Sequence, residues 1–483
     1  MTEANHDSHL PQKRAAIVQM TLASALHFAG YELSRSATIA LFTSGHFGFS
    51  SPAAMPAATA LVSPCSFVLL WWYTGVVEHG GPRSAIWQST LLFALLNLVG
   101  GILLSSLNTT STSENHHQHD YHQQHYQQIS QVTAIVLFVS QNALVQLLFT
   151  QHWAFLGSIQ TNTKSWFAPI AGIGSLSSTL AAASVGVLAQ HIDLQGLLVT
   201  AAILIGASGI CADQAYEIAE QYDFAPRQTS STHNNNNNNN SNNNNNNNNN
   251  SNSKLLPKQQ PDTNRFQQAR RLFHRVPVLG ALYREVLVCQ CLSSIVSFLF
   301  VIQVKKSIPD DHERASWTGQ CYAWINGISG VLQFAVFPWM VSSRTIDPRH
   351  LWPVMPAIML VCCLGMTRHE SLEMIAGSFL MMKILEYSLR GVANEMVFAS
   401  LDYESRFVGK EIIGVFANRL GKSVMAVALS ILATQVTILQ LSHAASVFSV
   451  LWFLVSWQVL RLIVVVESES KGPPNGQGKE KRS

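Results

Sequence analysis

The stretch SLDYESRFVGKEIIGVFANRLGKSVMAVALS, residues 400–430, begins as a charged loop and becomes an apolar helix that carries Arg419 and Lys422. A cation within such a helix is costly in lipid, so it is rare there and usually serves an ion or solute path. Neither residue has an acidic neighbour three or four positions away in its own helix. Both therefore need a partner from another helix or an anionic ligand. Arg and Lys suit phosphate or carboxylate oxygens, so the chemistry they offer is anion binding.

Other charges lie deep in apolar segments. YELSRSATIALF sets Glu32 and Arg35 three residues apart on one helical face, where they can pair and offset part of each other's desolvation. Such a pair either orients its helix or takes part in gating or substrate contact. In MMKILEYSLRGVANEMVF, Lys383–Glu386 and Glu386–Arg390 stand at i,i+3 and i,i+4, so the three share a stripe that must face protein or water. Arg390 and Glu395 fall near the end of that segment, where a gate or loop clamp is as good a reading as a binding role. The buried cations Arg35, Lys383, Arg390, Arg419 and Lys422 exceed Glu32, Glu386 and Glu395 by two. That excess favours an anionic solute.

Catalysis finds no support. The string Gly421-Lys422-Ser423 resembles the end of a phosphate-binding loop, but such a loop needs a glycine where Phe416 stands, and a strand before it. There is no hydrolase elbow, no zinc helix and no paired carboxylate. The reading is that the protein is not an enzyme and has no cofactor and no metal.

The elements that position these residues follow from composition. Of 483 residues, 48% are apolar and 12% charged, with a net charge of +3. That is too apolar for a water-soluble protein of this size, and the apolar residues come in blocks of about 20, the length of a bilayer-crossing helix. The fold class expected is all-α: a polytopic membrane protein of twelve transmembrane helices in two six-helix halves. The spans fall near 15–43, 53–77, 86–107, 132–157, 167–189, 194–213, 286–304, 317–340, 351–366, 372–398, 411–439 and 444–466. The first half covers 15–221 and the second 264–466, with tails at 1–14 and 467–483. Between the halves, 222–263 contains an asparagine tract that cannot build a core and reads as a disordered linker.

With both termini in the cytoplasm, twenty of the 30 Lys and Arg fall on the inner side, among them Arg83, Lys164, Arg344, Arg406 and Lys410. Four fall outside and six within spans, as the positive-inside rule requires. The outer stretch 108–131 is rich in histidine and reads as a solvated loop rather than a metal site. Asn264–Glu285 reads as a basic amphipathic lead-in that anchors on anionic lipid. The seven cysteines lack metal or disulfide spacing and read as free packing thiols. The first 14 residues form neither a signal nor a transit peptide, so a plasma-membrane or endomembrane location is expected ahead of a plastid envelope.

At this point a family likeness emerges. IPDDHERASWTGQCYAWINGISGVLQF, WAFLGSI followed by FAPIAGIGSL, and SLDYESRFVGKEIIGVFANRLGKS resemble, in order and spacing, blocks of the ADP/ATP carrier family of plastids and intracellular bacteria. The resemblance covers most of the chain apart from the linker, the histidine-rich stretch and the tails. It implies a major-facilitator-like fold that exchanges ATP for ADP or moves a related nucleotide. It also implies that Arg35, Glu395, Lys410 and Lys422 match functional positions of the family. Thr38, Ile39, Gln141, Ser297 and Gly414 stand where the exchangers carry charges.

The combined expectation is a carrier that binds an anionic, phosphorylated, nucleotide-like solute between its halves. Lys422, Arg419, Arg35 and Gln141 would form the binding site. Glu32, Lys383, Glu386, Arg390, Glu395 and Lys410 would serve gating and charge balance. Membrane lipids are the expected partners and nucleic acid is not. A transporter-like scaffold or sensor without flux, and a carrier of an unrelated solute, remain alternative readings.

Overall fold

The structure is a computed structural model that describes residues 10–113, 119–159, 167–222, 224, 271–336, 339, 351–399, 401 and 413–470. Among the described residues the secondary structure is helical, with no strand. Residues 225–263 of the linker, with Lys164, Arg344, Arg406 and Lys410, lie outside the described residues.

Four long helices make the first part of the chain: α1 (Leu10–Thr43), α2 (Ala54–Ser113), α3 (His119–Ile159) and α4 (Phe167–Gln221). Two of them are broken. At Gly81 the backbone takes φ 75°, which glycine adopts without Cβ strain, and Pro82 then starts the next segment with its φ preset. In α4 the break falls at Asp193, a non-glycine residue at φ 57°. An unbroken helix from Ala54 to Leu107 would be about 80 Å long, far more than a bilayer core of about 30 Å requires. The break at Gly81 sits where the sequence calls for a turn between spans. There Arg83 donates to Asp213 at 2.6 and 2.9 Å and to Glu220 at 2.7 Å, tying the turn to the end of α4.

The remaining helices are α5 (Pro277–Ser307), α6 (Asp311–Val331), α7 (Leu351–Arg368), α8 (Leu372–Ile384), α9 (Gly391–Ala399), α10 (Asn418–Leu432) and α11 (Ile438–Ser470). A π turn at Leu385–Arg390 joins α8 to α9, and another at Ile413–Ala417 leads into α10. Local chemistry sets several starts. Asp310 caps α6 by accepting from the Glu313 amide at 2.7 Å, Ser371 caps α8 through the Met374 amide, and Pro277 opens α5.

Among the described residues, six helical stretches are long and apolar enough to cross a membrane: Ala54–Leu107, Gln124–Ile159, Gly172–Gln221, Pro277–Ser307, Leu351–Arg368 and Ile438–Ile463. Buried apolar side chains sort largely by chain order. One cluster runs from Leu272 to Val459, with Ala182 added from the first part of the chain. The others draw on residues from Ala16 to Ala219, with Ala315 added from the second part.

Two expectations are corrected. The stretch 108–131 is largely helical, because α2 continues to Ser113 and α3 begins at His119. The lead-in does not lie on the surface as far as Glu285. Pro277 starts a new helix there, and Val278, Leu279, Ala281, Leu282 and Glu285 are buried in the core. The cysteines are free, as their apolar surroundings predict.

Candidate functional site

A cavity of about 410 Å³ opens between the two parts of the bundle. Its wall draws Tyr31, Arg35 and Ile39 from α1, Thr59 from α2, and Gln141 and Asn142 from α3. From the second part come Ser293 and Ser297 of α5, Tyr322 of α6, Lys383, Glu386 and Tyr387, and Asn418 and Lys422 of α10. A volume of this order suits a small organic solute.

The charged groups of the wall are arranged in pairs with one exception. Arg35 is ion-paired to Glu32, and its guanidinium stacks on the Tyr322 ring, 3.2 Å from the centroid, with Tyr31 on a second side at 5.1 Å. Glu32 also accepts from the Asn326 amide at 2.9 Å, so this pair bridges α1 and α6. Lys383 donates to Glu386 at 2.8 Å and to Ser293 at 3.1 Å. Glu386 further accepts from Gln290 at 2.9 Å and from Ser293 at 3.2 Å. Its carboxylate is thus held by donors from two helices. Lys422 has no ion pair or hydrogen bond among the described residues, and its side chain faces the cavity.

Helix packing places Lys422. Gly421 sits where α10 crosses α5, and a Cβ there would lie 2.8 Å from the Leu287 carbonyl oxygen. The glycine beside Lys422 thus serves close helix approach. Two neutral groups of the wall are also unpartnered. Gln141 is 2% exposed with its Nε2 donor unpaired, and the Oδ1 acceptor of Asn418 is unpaired as well. Buried polar groups normally have partners, so such orphans mark places where a ligand or water belongs.

The structure thus brings Arg35, Gln141, Lys383, Glu386 and Lys422 to one cavity. Arg419 stands beside it rather than in its lining. Its carbonyl accepts from Ser63 of α2 at 3.2 Å, and its Nη1 is buried with no partner among the described residues. Arg390 leaves the expected stripe. The π turn at Leu385–Arg390 changes the helical register, and Arg390 binds Glu285 of α5 through two hydrogen bonds of 3.2 Å instead of pairing with Glu386. Trp452 donates to the same Glu285 at 2.7 Å. The side chain of Glu395 lies outside the described residues, as does Lys410. Sequence reasoning missed Glu285, which it assigned to the surface lead-in, and the tyrosines around Arg35. The tyrosines were within reach, since Tyr31 lies one turn before Arg35. Ile39, Gln141 and Ser297, where the related exchangers carry charge, line the cavity as neutral residues.

Comparison with solved structures shows the same fold. The nucleoside transporter NupG superposes with a TM-score of 0.55 at 11% identity, covering 93% of this chain and 99% of that one. A bacterial homologue of the iron transporter ferroportin in its inward-facing state gives 0.57 at 10% identity, covering 92% and 98%. An auto-inhibited peptide transporter of the POT family gives 0.57 at 10% identity, covering 93% and 97%. These are transporters of major-facilitator type, and the all-α, major-facilitator-like fold expected from sequence is the one observed. No curated protein matches the chain significantly. Residues 299–468, which supply Lys383, Glu386, Asn418 and Lys422 to the cavity, match the model of the TLC ATP/ADP transporter family, so this part of the chain bears out the family likeness read from its sequence.

Proposed function

We propose that the protein is a membrane carrier that moves an anionic nucleotide through the central cavity by alternating access. The observation that carries this reading is Lys422, a cation in the wall of a cavity shared by both parts of the bundle that makes no ion pair or hydrogen bond among the described residues. Its three N–H donors, with the Gln141 amide, offer phosphate oxygens a cluster of hydrogen bonds. Tyr387 supplies flat apolar surface for a base, while the rings of Tyr31 and Tyr322 hold the Arg35 guanidinium. The paired groups Glu32–Arg35 and Lys383–Glu386 balance charge when the cavity is empty.

Transport would follow from rocking one six-helix half against the other, with twelve crossings, the 222–263 segment as linker and both termini in the cytoplasm. In that orientation the end bearing residues 44–53 faces outward. That end is tied shut. Lys305 donates to the Phe49 carbonyl at 2.5 Å, Arg314 reaches the Ala40 carbonyl at 3.4 Å, and Ser63 meets Ser423. The cavity would then be loaded from the cytoplasm of a plasma membrane or endomembrane.

The test is flux in proteoliposomes that contain the purified full-length protein. Labelled nucleotide inside the vesicles should exchange with, or leave toward, nucleotide outside. Absence of flux for every nucleoside and nucleotide, in vesicles where the protein is folded, would refute the carrier reading. Stabilisation by nucleotide without flux would identify a sensor instead.

A further inference from the structure

Resting on the carrier reading above, we propose that His27 and His152 form a buried proton site that takes up one proton with each anionic solute entering the central cavity. The two imidazoles meet across α1 and α3, with ring centroids 5.5 Å apart. They are 0% and 1% exposed. Phe28 and Phe93 lie against His27, and Phe149 packs edge to face on Phe28. Both ring nitrogens of His27, and Nε2 of His152, have no partner among the described residues. Buried polar atoms without partners are rare in folded proteins. Ionisable groups inside a membrane protein mark ion and proton paths.

Nδ1 of His152 lies 2.6 Å from the Leu148 carbonyl oxygen, which can only accept. That nitrogen therefore carries the hydrogen, and Nε2 keeps a bare lone pair. Neutral His27 has a second lone pair and one N–H. A proton from solvent adds to one of these lone pairs as a new N–H bond and returns to solvent when that bond breaks. Rings at this separation can turn to share it in one hydrogen bond of about 3 Å. A second proton is excluded, because two imidazolium ions so close in apolar surroundings repel strongly.

Among the described residues, His152 is the titratable group facing His27, and no carboxylate stands against either ring. On α1, Tyr31 and the Glu32–Arg35 ion pair follow one to two turns on. From α2 the neighbour is Phe93, and α4 meets α1 here through the Ser177 hydroxyl, which donates to the Ala25 carbonyl at 2.7 Å. A proton on the pair thus brings an uncompensated charge, which is disfavoured in such surroundings. An anion in the cavity offsets it. His27 lies one turn before Tyr31, and His152 two turns beyond Val145, and both Tyr31 and Val145 line that cavity. Proton and anion then favour each other's binding, which is the requirement for moving together.

The experiment uses the full-length protein in proteoliposomes with the membrane potential clamped at zero. A gradient of about one pH unit, acid outside, is set above the phosphate-ester titration near pH 6. Labelled nucleotide should accumulate about tenfold inside, the ratio that one proton per solute produces. A protonophore should abolish the accumulation. His27→Phe keeps a ring among its apolar neighbours without a titratable group, and should bring nucleotide to equal concentrations on both sides despite the gradient. His152→Gln serves if the first variant does not fold. Each variant is compared with itself at equal pH. Calorimetry of nucleotide binding in two buffers of different ionisation enthalpy adds a readout that needs no flux. It should show about one proton taken up by the wild type and none by either variant. Accumulation in a folded variant equal to that of the wild type would overturn the inference and leave the carrier reading standing. So would wild-type flux that ignores the gradient. If no nucleotide moves under any gradient in vesicles holding folded protein, the carrier reading fails and the coupling with it.

Discussion

At the scale of single residues, the proposed role of Lys422 is to hold a ligand rather than the fold. The nearby Glu386 carboxylate is already bonded to Lys383, so the Lys422 ammonium, with no ion pair or hydrogen bond of its own among the described residues, adds little to the stability of the empty protein. Lys422→Gln should therefore leave the thermal unfolding temperature in detergent unchanged or higher. It should also weaken nucleotide binding about tenfold to a hundredfold, the range for loss of a charge-assisted hydrogen bond. Binding and unfolding measured on one preparation check both. A variant that unfolds earlier yet binds as before would make Lys422 structural. The lysine was legible in the sequence because its helix holds no acidic residue within a turn of it. Gln141 was reachable only through its alignment with a charged position of related exchangers. Its orphaned donor became visible once α3 was seen to face α5 across the cavity.

At the scale of elements, the π turn at Leu385–Arg390 decides which acid each cation meets. Helical spacing alone put Glu386 between Lys383 and Arg390, and half of that arrangement exists, since Lys383 reaches Glu386 at 2.8 Å. The other half fails because the wider turn shifts Arg390 toward α5, where Glu285 and Trp452 meet it. A π turn has no sequence signature, so periodicity could not place it. Glu285 was hidden for a related reason: a basic, amphipathic stretch precedes it, and only the restart at Pro277 turns it inward. Breaking this contact tests its role. Glu285→Gln leaves the Arg390 guanidinium buried without a counter-charge and should cost about 3–5 kcal/mol of stability. Replacing both Glu285 and Arg390 with Met should recover most of that loss, because an apolar pair of similar size leaves no buried charge. Chemical unfolding of the single and double variants in detergent decides it. Equal loss in both would show that the contact matters through shape rather than charge.

For the whole molecule, the apolar blocks made the helical membrane fold legible, since their length follows directly from the bilayer as solvent. How the two parts of the bundle touch was not legible. Contacts between distant helices rest on small residues and hydroxyls that carry little signal in a sequence. Ser63 of α2 meets Ser423 of α10, and Ser430 reaches the Ala53 carbonyl at 3.5 Å, so α2 and α10 are joined near the end where Lys305 holds Phe49. If transport alternates by opening that end, these two helices must separate in every cycle. A Ser63→Cys/Ser423→Cys variant, made with Cys65 replaced by Ser, should form a disulfide under mild oxidation. Cross-linked protein should lose flux while still being stabilised by nucleotide entering from the opposite end, and reduction should restore transport. Full flux through quantitatively cross-linked protein would mean that α2 and α10 stay together throughout the cycle, and that access to Lys422 alternates by another movement.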